Sequence, residues 1–146
     1  MRATATSARA ALAGAAAAAA WAAAEPLGRP LHGTSYSDVR LLGRPLSRRH
    51  WRAAGLAAHL ANGAAAGVVF RRLGLRGPAT ALVLFQAENL AAWPLMAVVD
   101  RAHPDRRSGA WPPLLRNRRV FAYEVAMHAV FATVLGTFLR HEARRR

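Results

Sequence analysis

Two histidines, two glutamates and three side-chain amides lie inside stretches that are otherwise apolar. His59 and Asn62 fall in AAGLAAHLANGAAAGVVF, Gln86, Glu88 and Asn89 in PATALVLFQAENLAAWPLMAVV, and Glu124 and His128 in the run 120–139. In such surroundings these residue types support three kinds of chemistry. They hydrogen-bond between helices, at about 0.6 kcal/mol per bond. They carry a proton, an ion or a small polar solute, because His titrates near neutrality and intramembrane acids mark pathways. They also ligate metals, but a carboxylate-bridged metal bundle needs Glu-x-x-His pairs on two helices. This chain has one pair, at the wider spacing Glu124-x-x-x-His128. No metal, cofactor or catalytic residue is therefore assigned. Interhelical packing is the first expectation, in a structural or accessory membrane component. The alternatives are a small transporter-like or proton-linked protein using Glu88, His59 and His128, and a metal-binding or catalytic membrane protein.

The spacing brings these groups to one level. The runs joined by turns must alternate in direction, so depth is counted from the side that holds both long connections. At ~1.5 Å per residue, His59, Asn62, Glu88, Asn89, Glu124 and His128 fall between about 6 and 16 Å below that side, with Gln86 deeper near 20 Å. A charged side chain at the centre of a membrane helix costs ~2.5–3.5 kcal/mol. Glu88 is thus expected to face inward, close to a histidine and not freely ionised. Glu124 and His128 share one helix face. Glu88 stands about 100° from Asn89, so the two point in different directions.

The elements that must position them are four apolar spans, 8–24, 53–70, 78–99 and 120–139, with polar connections 25–52 and 100–119. The chain has 146 residues, one domain's worth. Its basic residues, 21 in all, are arginines, and they gather at the ends of the apolar runs. The net charge of +14 reads as snorkelling arginine on anionic headgroups, with no nucleic acid implied, since no platform of interleaved aromatics accompanies it. Cysteine is absent, which excludes disulfides and thiolate chemistry. The first span is short and rich in alanine, so a signal peptide ending at AAA before Glu25 competes with a membrane helix. Ser37 is a candidate cap for a short amphipathic turn over 37–42. In the second span Gly55, His59, Gly63 and Gly67 recur every fourth residue, a small-residue face suited to close helix packing. Pro94 frees a carbonyl and kinks the third span. Arginine is shared too evenly between the two ends to orient the chain by the positive-inside rule.

EPLGRPLHGTSYSDVRLLG, followed by AAHLANGAAAG, WPLMAVVDRAHP and HAVFATVLG, resembles in layout a group of small multi-pass membrane proteins of high-GC bacteria. The resemblance implies no activity. The expected fold is an all-α integral membrane bundle of four helices in the cell membrane, with the lipid bilayer and a membrane protein or a second copy of the chain as partners. A soluble four-helix domain is the rival, and it would show amphipathic stripes where these spans are apolar nearly all round.

Overall fold

A computed structural model describes the backbone of residues 2–143 and the side chains of 7–140. The described residues form helices and turns: α1 Arg2–Leu31, α2 Asp38–Leu46, α3 Trp51–Arg72, α4 Pro78–Ala92, a 3₁₀ turn Trp93–Leu95, α5 Met96–Ala102, α6 Pro104–Arg107 and α7 Arg118–Ala143. Four helical stretches are long and apolar enough to cross a membrane: Ser7–Leu31, Trp51–Arg72, Pro78–Ala102 and Arg118–Arg140.

The helices pack in the order α2, α3, α1, α7, α4. α1, for which the sequence left a first span and a signal peptide open, is the helix that both α3 and α7 pack against. It also outruns the span 8–24, continuing through Pro26 and Pro30 to Leu31. Proline inside a helix removes a backbone bond and usually ends or kinks it. Here tertiary packing holds the last turns, because Gly28 lets α1 lie directly on Met127 and Tyr123 of α7. The helix then ends on Gly33 at φ 60°. Thr34 N–H donates to the Arg29 carbonyl at 3.0 Å and Gly33 N–H to that of Pro30 at 3.1 Å, a Schellman closure that needs the left-handed conformation. α3 ends the same way at Gly74, φ 71°, which turns the chain into the short hairpin before α4.

The small-residue face of α3 is a seam. Gly63 and Gly67 lie against Ala10, Gly14 and Ala18 of α1, and Gly55 lies against Val39 and Gly43 of α2. Without side chains at these positions the backbones touch, which is how helices associate where no hydrophobic effect drives them together. Around Pro94 the third span breaks into the 3₁₀ turn and α5, as loss of the amide donor requires.

The two long connections are not free loops. Within 25–52 the chain folds into the end of α1 and into α2, and within 100–119 into α6. Asp105, almost fully buried, receives Arg40 through two bonds of 2.8 Å and Arg44 at 3.3 Å. His103 stacks on Trp111 at 4.6 Å, and its Nε2 sits 3.2 Å from the Leu41 carbonyl. Burial pulls His103 below its ordinary 6.5. The neutral ring therefore donates from Nε2 to Leu41 and accepts the Asp105 N–H, 3.2 Å away, on Nδ1. Trp111 Nε1 donates to the Ser35 carbonyl at 3.0 Å, and Tyr36 packs on the same indole. Asp100 gathers the N–H groups of Leu114 and Leu115 and the Arg106 guanidinium. The connections thus form one rigid cap across that end of the bundle.

Candidate functional site

α3 and α4 are joined by the hairpin yet leave a cleft between them. It holds a cavity of about 550 Å³, backed by α1 and α7 and roofed by α2. The walls are largely apolar, from Ala18, Ala66, Leu41, Leu84, Phe85 and Phe131 among others. Its mouth lies on the flank of the bundle, where Asn62, Ala65, Val69 and Glu88 are exposed.

Six of the seven groups singled out from the sequence line this cavity: His59, Asn62, Glu88, Asn89, Glu124 and His128. Gln86 does not. It turns onto α7 and donates from Nε2 to the Val125 carbonyl at 2.8 Å. Glu88 is placed differently from the expectation of an inward carboxyl. Its side chain is 57 % exposed, at the mouth of the cleft. The cause is helical geometry: Ala81, Phe85 and Asn89 are the buried face of α4, and Glu88 stands about 100° round from Asn89. It does meet a histidine, since His128 Nε2 is 3.3 Å from Glu88 Oε2.

His128 links mouth and floor. Its Nδ1 lies 2.8 Å from the Glu124 carbonyl and 3.6 Å from Glu124 Oε2. Nδ1 must donate to that carbonyl, so the Nε2···Glu88 contact holds a proton on one partner or the other. Trp21 packs edge-on against both His59, at 5.3 Å between ring centres, and His128, at 4.7 Å.

Three participants escaped the sequence reading. Asp38, the first residue of α2, points into the cavity although 25–52 reads as surface. Trp21 reads as an interfacial anchor, and Glu25 as part of a loop. Ser37 caps α2 as expected, accepting the Arg40 N–H. The second cap comes from Glu25, which accepts Ser37 Oγ–H at 2.5 Å and the Asp38 N–H at 2.8 Å. A carboxylate at a helix N-terminus is favoured by the helix dipole, and it pins α2 down onto α1. That places Asp38 beside Trp21, Glu124 and His128. Burial pushes the Asp38 carboxyl above its ordinary 3.8, while the charge of His128 and the hydrogen bond from Tyr36, 3.0 Å long, oppose the rise. Burial likewise pushes the Tyr36 hydroxyl well up. The one signal in the sequence was rarity: the chain has seven acidic residues, and one of them, Asp38, directly follows SYS at the start of a capped helix.

Among the described residues, five that line the cavity carry a buried side-chain atom outside any well-formed hydrogen bond, Trp21 Nε1, Asp38 Oδ2, His59 Nε2, Asn89 Nδ2 and Glu124 Oε1, although the Asp38 carboxyl lies within reach of Trp21 and Glu124. Each belongs to a residue 9 % exposed or less. Among the described residues, no three His, Asp or Glu side chains stand close enough to share a metal ion. No known protein family, curated protein or solved structure matches this chain.

Proposed function

We propose that this is a multi-pass protein of the cell membrane that binds a small amphipathic molecule in the cleft between α3 and α4. One observation carries the reading: five polar residues, each with a buried side-chain atom outside any well-formed hydrogen bond, line a single apolar-walled cavity. An unpaired buried polar group costs about 1–3 kcal/mol. Groups kept only to bond helices together would be paired with one another across the helices, as Gln86 is. The cavity also has the form of a ligand site, mostly apolar with a few convergent polar groups. With the arginine-rich ends held at anionic headgroups, the mouth of the cleft opens to the lipid, so the ligand enters sideways from the bilayer.

The absence of cysteine makes the test direct. Ala65→Cys places a single thiol on the cavity wall, and Val83→Cys places one on the outer face of α4. In nanodiscs, an amphiphile that fills the cavity is expected to slow maleimide labelling at position 65 and to leave position 83 unchanged. Equal slowing at both positions, or at neither, for amphiphiles of every head group overturns the reading.

A further inference from the structure

We infer that the polar end of the ligand is an organic cation, an ammonium or similar group carried on an apolar body. The inference rests on the cleft being a binding site and names the class of molecule it takes. Charge is sorted in this protein with unusual economy. Against 21 arginines the chain has seven acidic residues. Asp38, Glu88 and Glu124 line the cavity, and Glu25 stands directly behind Asp38. Among the described residues, no arginine lines it. The strongly basic protein therefore encloses an acidic chamber.

The two carboxyls among the buried groups point the same way, whereas Trp21 Nε1 and Asn89 Nδ2 are donors that a cation leaves unpaired. The Asp38 and Glu124 carboxyls, each more than nine-tenths buried, face one another at hydrogen-bond range, so only a shared proton pairs them. An ammonium donates to both and offsets their charge, whereas an anion meets three carboxyls at close range. The cationic groups able to oppose this are His59 and His128. His128 is already held between Glu88 and Glu124, and His59 forms a T-shaped pair with Trp21. The indoles of Trp21 and Trp93 on the wall add faces suited to a desolvated cation. The cation head is placed between α2 and α7, and the tail runs along the wall towards Val69 and Leu84.

The test uses the same thiol at Ala65→Cys in nanodiscs and three probes with one tail: dodecylammonium, dodecanol and dodecanoate. The ammonium is expected to protect the thiol at a concentration roughly ten-fold below the alcohol, with the carboxylate weakest. Adding Glu124→Gln or Asp38→Asn is expected to abolish the advantage of the ammonium and to leave protection by the alcohol as it was. Glu88→Gln, at the exposed mouth where folding is not at stake, is expected to reduce that advantage in part. If the three probes protect equally, the cation inference fails and the cavity reading stands. If the carboxylate protects best, the inference fails with its sign reversed. If none protects position 65 more than position 83, both readings fall.

Discussion

α3 carries two faces that obey opposite rules. On one, Gly55, Gly63 and Gly67 bring its backbone into contact with α1 and α2. On the other, Asn62, Ala65 and Val69 look across a cleft to a helix that does not close on them. Between its glycines the first face carries one polar side chain, His59. The second is bordered by polar groups with buried atoms outside any well-formed hydrogen bond. The seam fixes where α1 and α2 stand, and hence where Trp21 and Asp38 meet the cleft. The lesson is a division of labour: close packing comes from residues with no chemistry, and the polar groups gather on the cleft side.

The comparison breaks most completely at the seam. In Gly67→Val the new Cβ would meet the Ala10 carbonyl oxygen and stand 3.0 Å from Gly14 Cα, both backbone atoms that cannot swing aside. The expected loss is about 3 kcal/mol or the folded state itself, read by thermal unfolding in detergent. The cap comes next. Asp105→Ala leaves Arg40 and Arg44 without their shared carboxylate. The arginines are partly exposed, so water recovers some of the loss, and about 2 kcal/mol is expected. Hydrogen exchange should rise in α2 and not along the seam between α1 and α3.

A smaller effect separates the cavity-facing Asp38 from the outer network of the cap by pH. Asp38 has its native pKa raised by burial, so the native state disfavours its ionised form. The stability it supports is intact below 3.8 and is lost as the pH climbs through the raised native value. Asp38→Asn is therefore expected to melt a few degrees higher than the parent near neutral pH, with the gap closing in acid. His103 runs the other way. Its native pKa is lowered, so its contribution is intact above 6.5 and falls as the pH drops towards the native value. His103→Gln should flatten the acid limb, where Asp38→Asn lifts the neutral one. Identical pH profiles for the two variants would show that Asp38 and His103 do not titrate separately.

The four spans were legible because apolar length and arginine-rich ends are strong local signals. The level of the polar groups was legible because antiparallel helices share one rise per residue. The small-residue face was legible from a four-residue repeat, though not its occupants: Gly14 lies in an alanine run where nothing marks it out. What stayed hidden depended on tertiary contacts. Pro26 and Pro30 advertise a break that packing on Met127 and Tyr123 overrides. Asp38 reaches the cavity only because Glu25, twelve residues before its capping partner Ser37, ties α2 to α1. Glu88 was expected inside because its cost in lipid was weighed without a cleft into which it could open.

Glu88→Gln is the mildest change and the sharpest test of the division between the two faces. The side chain is more than half exposed and holds no backbone group, so the expected change in stability is within about 0.5 kcal/mol. What it should alter is one proton. His128 Nδ1 is committed to the Glu124 carbonyl at 2.8 Å, a bond made within α7 that does not depend on the cleft. Nε2 faces the carboxyl that is removed. In ¹⁵N spectra of the histidine ring, Glu88→Gln is expected to move the Nε2 resonance and to leave Nδ1 in place. If both nitrogens move together, the mouth of the cleft is mechanically tied to α7. The polar groups would then carry structural load, and the distinction between a rigid seam and a free chamber would not hold.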